Sequence, residues 1–253
     1  MRAEDDKYWQ MTMMPRTPYL PEFDDDIAND EEEGAGRATV LWEVAETILL
    51  TLLIFFVVRS VVQNFKVEGD SMLPTLHSEQ YLLVNKGLYF RYDANFLQRL
   101  LDPNAQPDYR YLFHGPQRGD IVVFEAWGES RDFIKRVIAV EGETVEVKPD
   151  DPSTPVPEGN CEACCDACSV YVNGIRLEEP YVRERPDYIR KPIVVPPGHV
   201  YVLGDNRRNS QDSHVQGPLP VERIIGVAFI SYWPQEYWGL LPHPTYAEIE
   251  NRP

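Results

Sequence analysis

Positive charge is scarce in this sequence: 24 Lys and Arg stand against 41 Asp and Glu, a formal net charge of −17 over 253 residues. With no basic patch to neutralise phosphates, that balance argues against nucleic acid as a partner. Histidine is sparse too, five in all, and none lies in a recognisable Ser-His-Asp context. No uninterrupted apolar run reaches the roughly 20 residues of an ideal membrane helix; the longest uncharged stretch near the N-terminus, Thr47 to Val58, covers 12. Cysteine is limited to four, all within CEACCDAC (Cys161 to Cys168). Internal repeats are absent, and no helices alternate with the strand-like segments, which argues against a parallel α/β fold.

What is present begins with an acidic segment. Residues 1–38 hold eleven acids and four bases, a net −7, together with Pro15, Pro18 and Pro21. Such a stretch buries too little apolar surface to offset its ordering entropy and is expected to be a disordered tail. Residues 39–64 include VLWEVAETILLTLLIFFVVRSVVQN (Val40 to Asn64). The short uncharged core lengthens to a span if Glu43 and Glu46 lie at one interface, Arg59 snorkels to the other, and Trp42 is an interfacial aromatic. A buried core helix is the alternative. A cleaved signal peptide fits less well, because no short basic region precedes the segment. Lys and Arg are too sparse on both flanks for charge to decide orientation.

Beyond residue 64 the pattern is one of short apolar or alternating runs: IVVFEA (Ile121 to Ala126), FIKRVIAV (Phe133 to Val140), TVEVK (Thr144 to Lys148), VYVL (Val200 to Leu203) and IIGVAFISYW (Ile224 to Trp233). These predict strands. VYVNGIRLEE (Val170 to Glu179) sets Asn-Gly between two such runs, a hairpin signal. Only DANFLQRLL (Asp93 to Leu101) reads as helix outside the anchor. The expected fold is therefore mainly β, with antiparallel sheets in a partly closed, barrel-like domain behind one N-terminal transmembrane helix. Its expected bounds are 65–233, with insertions at 87–118 and 149–168, and 234–253 as a loose tail.

Three segments carry candidate chemistry. In KVEGDSMLPTL (Lys66 to Leu76), Gly69 and Pro74 constrain a turn around Ser71, which is able to aim both its hydroxyl and its own N–H at a bound carbonyl; an ordinary surface turn is the plain alternative. A serine needs a base, and Lys135 lies inside the apolar strand around FIKRVI, where burial disfavours the ammonium form. At its ordinary pKa only about one lysine in 2,500 is neutral at pH 7. A strand lysine whose amine snorkels to water is the plain alternative here. The third segment, VLGDNRRNSQDSH (Val202 to His214), is a dense polar loop in which a hydroxyl is able to orient a buried amine, or in which Asn, Asp and Ser simply cap turns.

Together these segments resemble type I signal peptidases of the bacterial kind, from about Val40 to Trp233, on GDSMLPTL, RGDIVVF (Arg118 to Phe124), FIKRVIAVEGE (Phe133 to Glu143) and GDNRRNSQDSH (Gly204 to His214). The resemblance implies a membrane-bound serine endopeptidase in which Ser71 attacks the scissile carbonyl and Lys135 serves as base, then as acid, through an acyl-enzyme. It implies that Ser210 orients the Lys135 amine, that Asp212 and Arg136 organise the loop, and that Asp205 supports it. The Ser71 backbone N–H is the expected oxyanion donor. One branch of the family has a further serine donor where Gly69 stands here, and a basic residue is often found at the place of His214. Secretory preproteins are the implied substrates, cut after small A-x-A-like residues, bound by strand addition in pockets lined by Met72, Leu73 and Ile134. Met72 and Leu73 are alternatively bilayer contacts. No cofactor is implied. The implied setting is a single-pass protein of the cell membrane, with the tail cytoplasmic, the catalytic domain extracytoplasmic, and the bilayer and secretion translocase nearby.

The cysteine cluster stands apart from this chemistry. Cys161, Cys164, Cys165 and Cys168 form two C-x-x-C units, expected to make disulfides on the oxidising side of a membrane, in any of three connectivities, to bind a metal, or to stay as free or mixed thiols. Competing readings are a tethered redox or metal-binding protein, a silent peptide-binding β-domain, and a self-cleaving Ser-Lys protease of the repressor type.

Overall fold

The computed structural model describes residues 26–244 and 246, apart from 103, 105, 107, 129–130, 152, 155–159, 163 and 166–167, with side chains described from residue 40. The acidic segment 1–25 and the last residues therefore lie outside what is described. Helix α1 runs Asp26–Val61, so residues 26–38, expected to be disordered, are helical. Within it Val40–Val61 has a mean hydropathy of 2.2 and none of its most apolar stretch is buried in protein, which removes the reading as a core helix. At 1.5 Å per residue those 22 residues reach about 33 Å, the thickness of a bilayer's hydrocarbon layer. Thr47, Thr51 and Ser60 turn their hydroxyls back onto the carbonyls of Glu43, Thr47 and Val57 at 2.8, 2.7 and 2.7 Å, so these polar groups are satisfied without water. The expected anchor overshoots at its end: Val62 to Asn64 already belong to a strand.

After α1 come β1 (Val62–Lys66), β2 (Tyr81–Asn85), β3 (Arg91–Asp93), α2 (Phe96–Leu101), β4 (Tyr109–Tyr111), β5 (Ile121–Glu125), β6 (Asp132–Val140), β7 (Thr144–Pro149) and β8 (Cys168–Val172). They are followed by β9 (Ile175–Arg176), β10 (Arg190–Val194), β11 (His199–Leu203), α3 (Ser213–Gln216), β12 (Leu219–Pro220), β13 (Ile224–Trp233) and β14 (Gly239–Leu240). The main sheet has the order β1-β2-β13-β5-β6-β11-β12, with β14 added to β13. All its pairings are antiparallel, and among the described residues it stays open and does not close into a barrel. A smaller sheet, β10-β7-β8-β9, packs beside it, and its β8–β9 hairpin turns at Asn173-Gly174, where the sequence places it.

β5 shows why the apolar runs are continuous. Ile121 and Val123 enter one core with Val67, Met72, Leu76, Leu82 and Val84. Val122 and Phe124 enter another, with Val137, Val202 and Leu219. Alternate residues point to opposite faces, and here both faces are covered. The third core lies between the two sheets: Val145, Val147, Val170 and Val172 of the smaller one meet Ile138, Ala139, Tyr201 and Leu203 of the main one.

One expectation fails at the C-terminus, and the cysteines form disulfides, one of the readings open to them. The C-terminal segment is no loose tail where it is described: β14 pairs with β13, Leu241 N–H donates to Phe229 O at 3.0 Å, and Tyr246 is buried with its hydroxyl 2.6 Å from that of Tyr181. The cysteines pair locally, Cys161 with Cys164 and Cys165 with Cys168. Among the described residues no group of three or more His, Cys, Asp or Glu is arranged to hold a metal ion.

Candidate active site

β6 pairs with β5 along its first half, Asp132 to Arg136, and with β11 from Arg136 to Val140. Lys135 therefore sits where one edge of the strand is still uncovered but the side chain is already enclosed, at 3% exposure. Its Nζ lies 2.7 Å from Ser71 Oγ and 2.9 Å from the carbonyl of Ile134. Burial is the main influence on the amine and lowers it to about 8, against a smaller upward pull from Asp212 and Asp205. At that value roughly one amine in ten is neutral at pH 7, rather than one in thousands. An ammonium at 2.7 Å donates to the hydroxyl, whereas the neutral amine is placed to take the hydroxyl's proton.

Ser71 lies on the turn between β1 and β2. Met72, only 1% exposed, plugs that turn into the core below the sheet, an anchorage of about 2 kcal/mol of apolar burial. Met72 thus faces the core and not the bilayer, and neither it nor Leu73 is among the residues lining the cleft, while Ile134 is. The turn is also held from the β11 side: Asn206 N–H donates to Ser71 O, and its Nδ2 donates to Asp70 O, both at 3.0 Å. A Cβ on Gly204 would come 2.5 Å from Ser71 O and 2.7 Å from Ser210 Cβ. Glycine is required there because the nucleophile's backbone passes directly over it. Gly69 has φ of +85°, a backbone that disfavours the serine found at this place in one branch of the resembling family.

The polar loop divides its residues between two networks. Arg136 and Asp205, both fully buried, form a two-pronged pair, Nε to Oδ1 at 2.9 Å and Nη2 to Oδ2 at 2.7 Å. Arg136 also donates to Gly119 O and Pro242 O at 3.0 and 3.2 Å, so the C-terminal segment supplies one of its acceptors. Asp212 takes part in the other network. Its Oδ2 accepts from Gly204 N–H at 2.9 Å, and its Oδ1 accepts from His214 N–H at 3.0 Å and contacts His214 Nδ1 at 2.7 Å. Burial alone pushes the Asp212 carboxyl up, but the His214 contact, the Gly204 N–H and the nearby Ser210 hydroxyl more than offset it, and the carboxyl stays below its ordinary value.

Ser210 Oγ is buried and has no hydrogen-bond partner of standard geometry. The residues that sequence reasoning passed over are Asn206, Gly204 as a point of close approach, and His214, which stacks on Tyr188 at 4.1 Å and closes the Asp212 network. The polar density of the loop was the available signal, but which residue met which was not encoded locally.

In front of Ser71 and Lys135 lies a cleft of about 610 Å³ lined by Phe65 to Ser71 on one wall and Arg131 to Lys135 on the other. Residues 41–233 match the family described as signal peptidase, peptidase S26. The Synechocystis sp. protein named "Probable signal peptidase I-1" is 36% identical over 207 residues, which cover 79% of this chain and 83% of that protein. Signal peptidase I of Leptolyngbya laminosa is 35% identical over 216 residues, covering 81% and 87%. Signal peptidase I of Bacillus caldolyticus is 31% identical over 218 residues, covering 81% and 94%.

Proposed function

Because the chain belongs to the signal peptidase, peptidase S26 family, we propose that it is a membrane-anchored serine endopeptidase that removes signal peptides from secretory preproteins, with Ser71 as nucleophile and Lys135 as general base. The observation that carries the residue assignment is the 2.7 Å contact between Lys135 Nζ and Ser71 Oγ, made at a buried amine. In this reading the neutral amine takes the Ser71 proton as Oγ attacks the scissile carbonyl. The resulting ammonium returns a proton to the leaving amine, and water then cleaves the acyl-enzyme by the same route.

The Ser71 backbone N–H, which donates to no group among the described residues, is the oxyanion donor. Ser210 orients the amine: its buried hydroxyl needs a partner, and Lys135 has a donor position beyond the two already used. Asp212 sets the charge around both, and the pair of Arg136 and Asp205 holds β6 to the loop.

The substrate binds extended. The first half of β6 is paired on one side only, and an extended peptide added along that edge would reach Ser71 across the cleft. Ile134 is the assigned wall of small pockets that accept residues such as alanine. Helix α1 anchors the enzyme in the bilayer where its membrane-held substrate is concentrated, with the catalytic domain on the extracytoplasmic side, the N-terminal segment in the cytoplasm and the secretion translocase close by.

The test is cleavage of a preprotein in detergent by the wild type, Ser71→Ala and Lys135→Ala. Both variants are expected to lose at least about a thousandfold in rate while keeping the folded state by circular dichroism. Full activity in either sinks the dyad.

A further inference from the structure

Residues 87–118 form a lobe whose function the active site does not explain. It is rooted at the end of the anchor: Lys86 N–H donates to Val61 O, the last residue of α1, at 2.7 Å. The lobe closes on itself through the β3–β4 pairing and through Leu112 N–H to Phe90 O at 2.9 Å.

Its helix α2 is oriented the wrong way for a water-facing element. Phe96, Leu97, Leu100 and Leu101 fall within one arc of about 140° at 100° per residue, and an apolar stripe of this kind ordinarily faces a core. Here all four are exposed, from 59% for Phe96 to 88% for Leu101, and no residue of the helix is buried. Leu112 and Phe113, just beyond β4, are also exposed. So much apolar side chain on one lobe marks an interaction surface.

Charge identifies the partner. The lobe carries four Arg (91, 99, 110, 118) and three Asp (93, 102, 108), a net of +1, in a chain whose total is −17. Arg99 and Arg110 are paired inside the lobe with Asp93 and Asp108, at 2.8 and 2.9 Å, and Arg91 reaches Glu222 at 3.3 Å. Arg118 pairs with Glu143, so all four arginines of the lobe are engaged, two inside it and two with acids outside it; the lobe therefore offers apolar surface, in a chain otherwise repelled by anionic surfaces, and it is tethered to the residue where the apolar span ends.

From this we infer that the 87–118 lobe is a second membrane contact, with Phe96, Leu97, Leu100, Leu101, Leu112 and Phe113 seated in the interfacial layer of the bilayer. It rests on α1 being the membrane anchor. Aromatic and leucine side chains presented by a short amphipathic helix suit that layer. Because its arginines are already paired, the contact depends on apolar burial and is insensitive to salt. It would hold the catalytic unit at a fixed height over the bilayer by two points instead of one.

The test uses the full chain in phosphatidylcholine vesicles. All four native cysteines are paired, so one introduced cysteine takes an environment-sensitive fluorophore without competition. Leu101→Cys reports the lobe, Leu52→Cys the anchor, and Val194→Cys, exposed on the smaller sheet, the water-facing surface. Labels at 52 and 101 are expected to be quenched by lipid-borne spin labels at least threefold more than the label at 194, with no change in 1 M salt. Quenching at 52 but not at 101 overturns the inference and leaves the lobe to a protein partner. Equal quenching at 101 and 194 overturns it as well. If 52 itself reports water, the anchor fails and the inference with it. None of these readouts uses cleavage, so they stand apart from the test of the Ser71 and Lys135 assignment.

Discussion

The base role proposed for Lys135 depends on its position along β6. A residue one pair further on would be covered by β11, and one several places earlier would be exposed to water and charged. Only the neutral amine acts as a base, so activity is expected to rise with pH through about 8, the value to which burial lowers this group. Asp212 is one of the two carboxylates that oppose burial by holding the proton on. Asp212→Asn removes that negative charge, so the acidic limb of kcat/KM against pH is expected to move to lower pH, on a soluble peptide substrate. A limb that stays in place, or moves up, would show that Asp212 does not act on Lys135 through charge. From local sequence Ser71 was a candidate in a constrained turn and Lys135 a candidate in an apolar strand, each with a plain alternative, and only the resemblance paired them. That the Met72 side chain turns into the core was not readable from its place beside Ser71.

At the scale of elements, β6 contributes Lys135 to the cleft and Arg136 to the interior, from successive residues on opposite faces. Arg136 joins four parts of the chain: β6, the loop after β11 through Asp205, the turn at Gly119, and the C-terminal segment at Pro242. Asp205→Asn leaves a buried guanidinium without its counter-charge and is expected to cost about 3–5 kcal/mol of stability, measured by urea unfolding at neutral pH. A loss below about 1 kcal/mol would mean that the two carbonyls alone satisfy the arginine. A second buried pair, Arg207 with Glu179 at 2.6 and 2.7 Å, braces the same loop from the smaller sheet, and Arg207 also donates to Gly204 O at 3.0 Å. Strands β5, β6, β7, β8, β9, β11 and β13 were legible because β-branched runs bounded by turn residues have few other conformations. The start of β1 was assigned to the anchor, since Val62 follows the apolar run without a turn residue between them and nothing local marks the change of backbone.

For the whole molecule, composition and compartment come together in the cysteines. If the domain faces an oxidising space, the protein isolated from its membrane should show no alkylatable thiol before reduction and four after it, by mass analysis without reductant. Thiols found free in the native protein would argue against the extracytoplasmic placement. The net charge of −17 bears on the same placement, because a chain that repels anionic lipid headgroups needs apolar contacts, the anchor and the lobe, to stay close to a bilayer.

By itself the sequence determined the apolar anchor helix and the mainly β character, and made Ser71 and Lys135 candidates that only the family resemblance joined, because hydropathy, strand periodicity and short turn motifs are local properties. The 2.7 Å meeting of Ser71 and Lys135, the choice of Asp205 rather than Asp212 as the partner of Arg136, and the burial of the C-terminal segment were decided only in three dimensions. Each depends on strands distant in the chain becoming neighbours, and no local pattern encodes the register in which they pair.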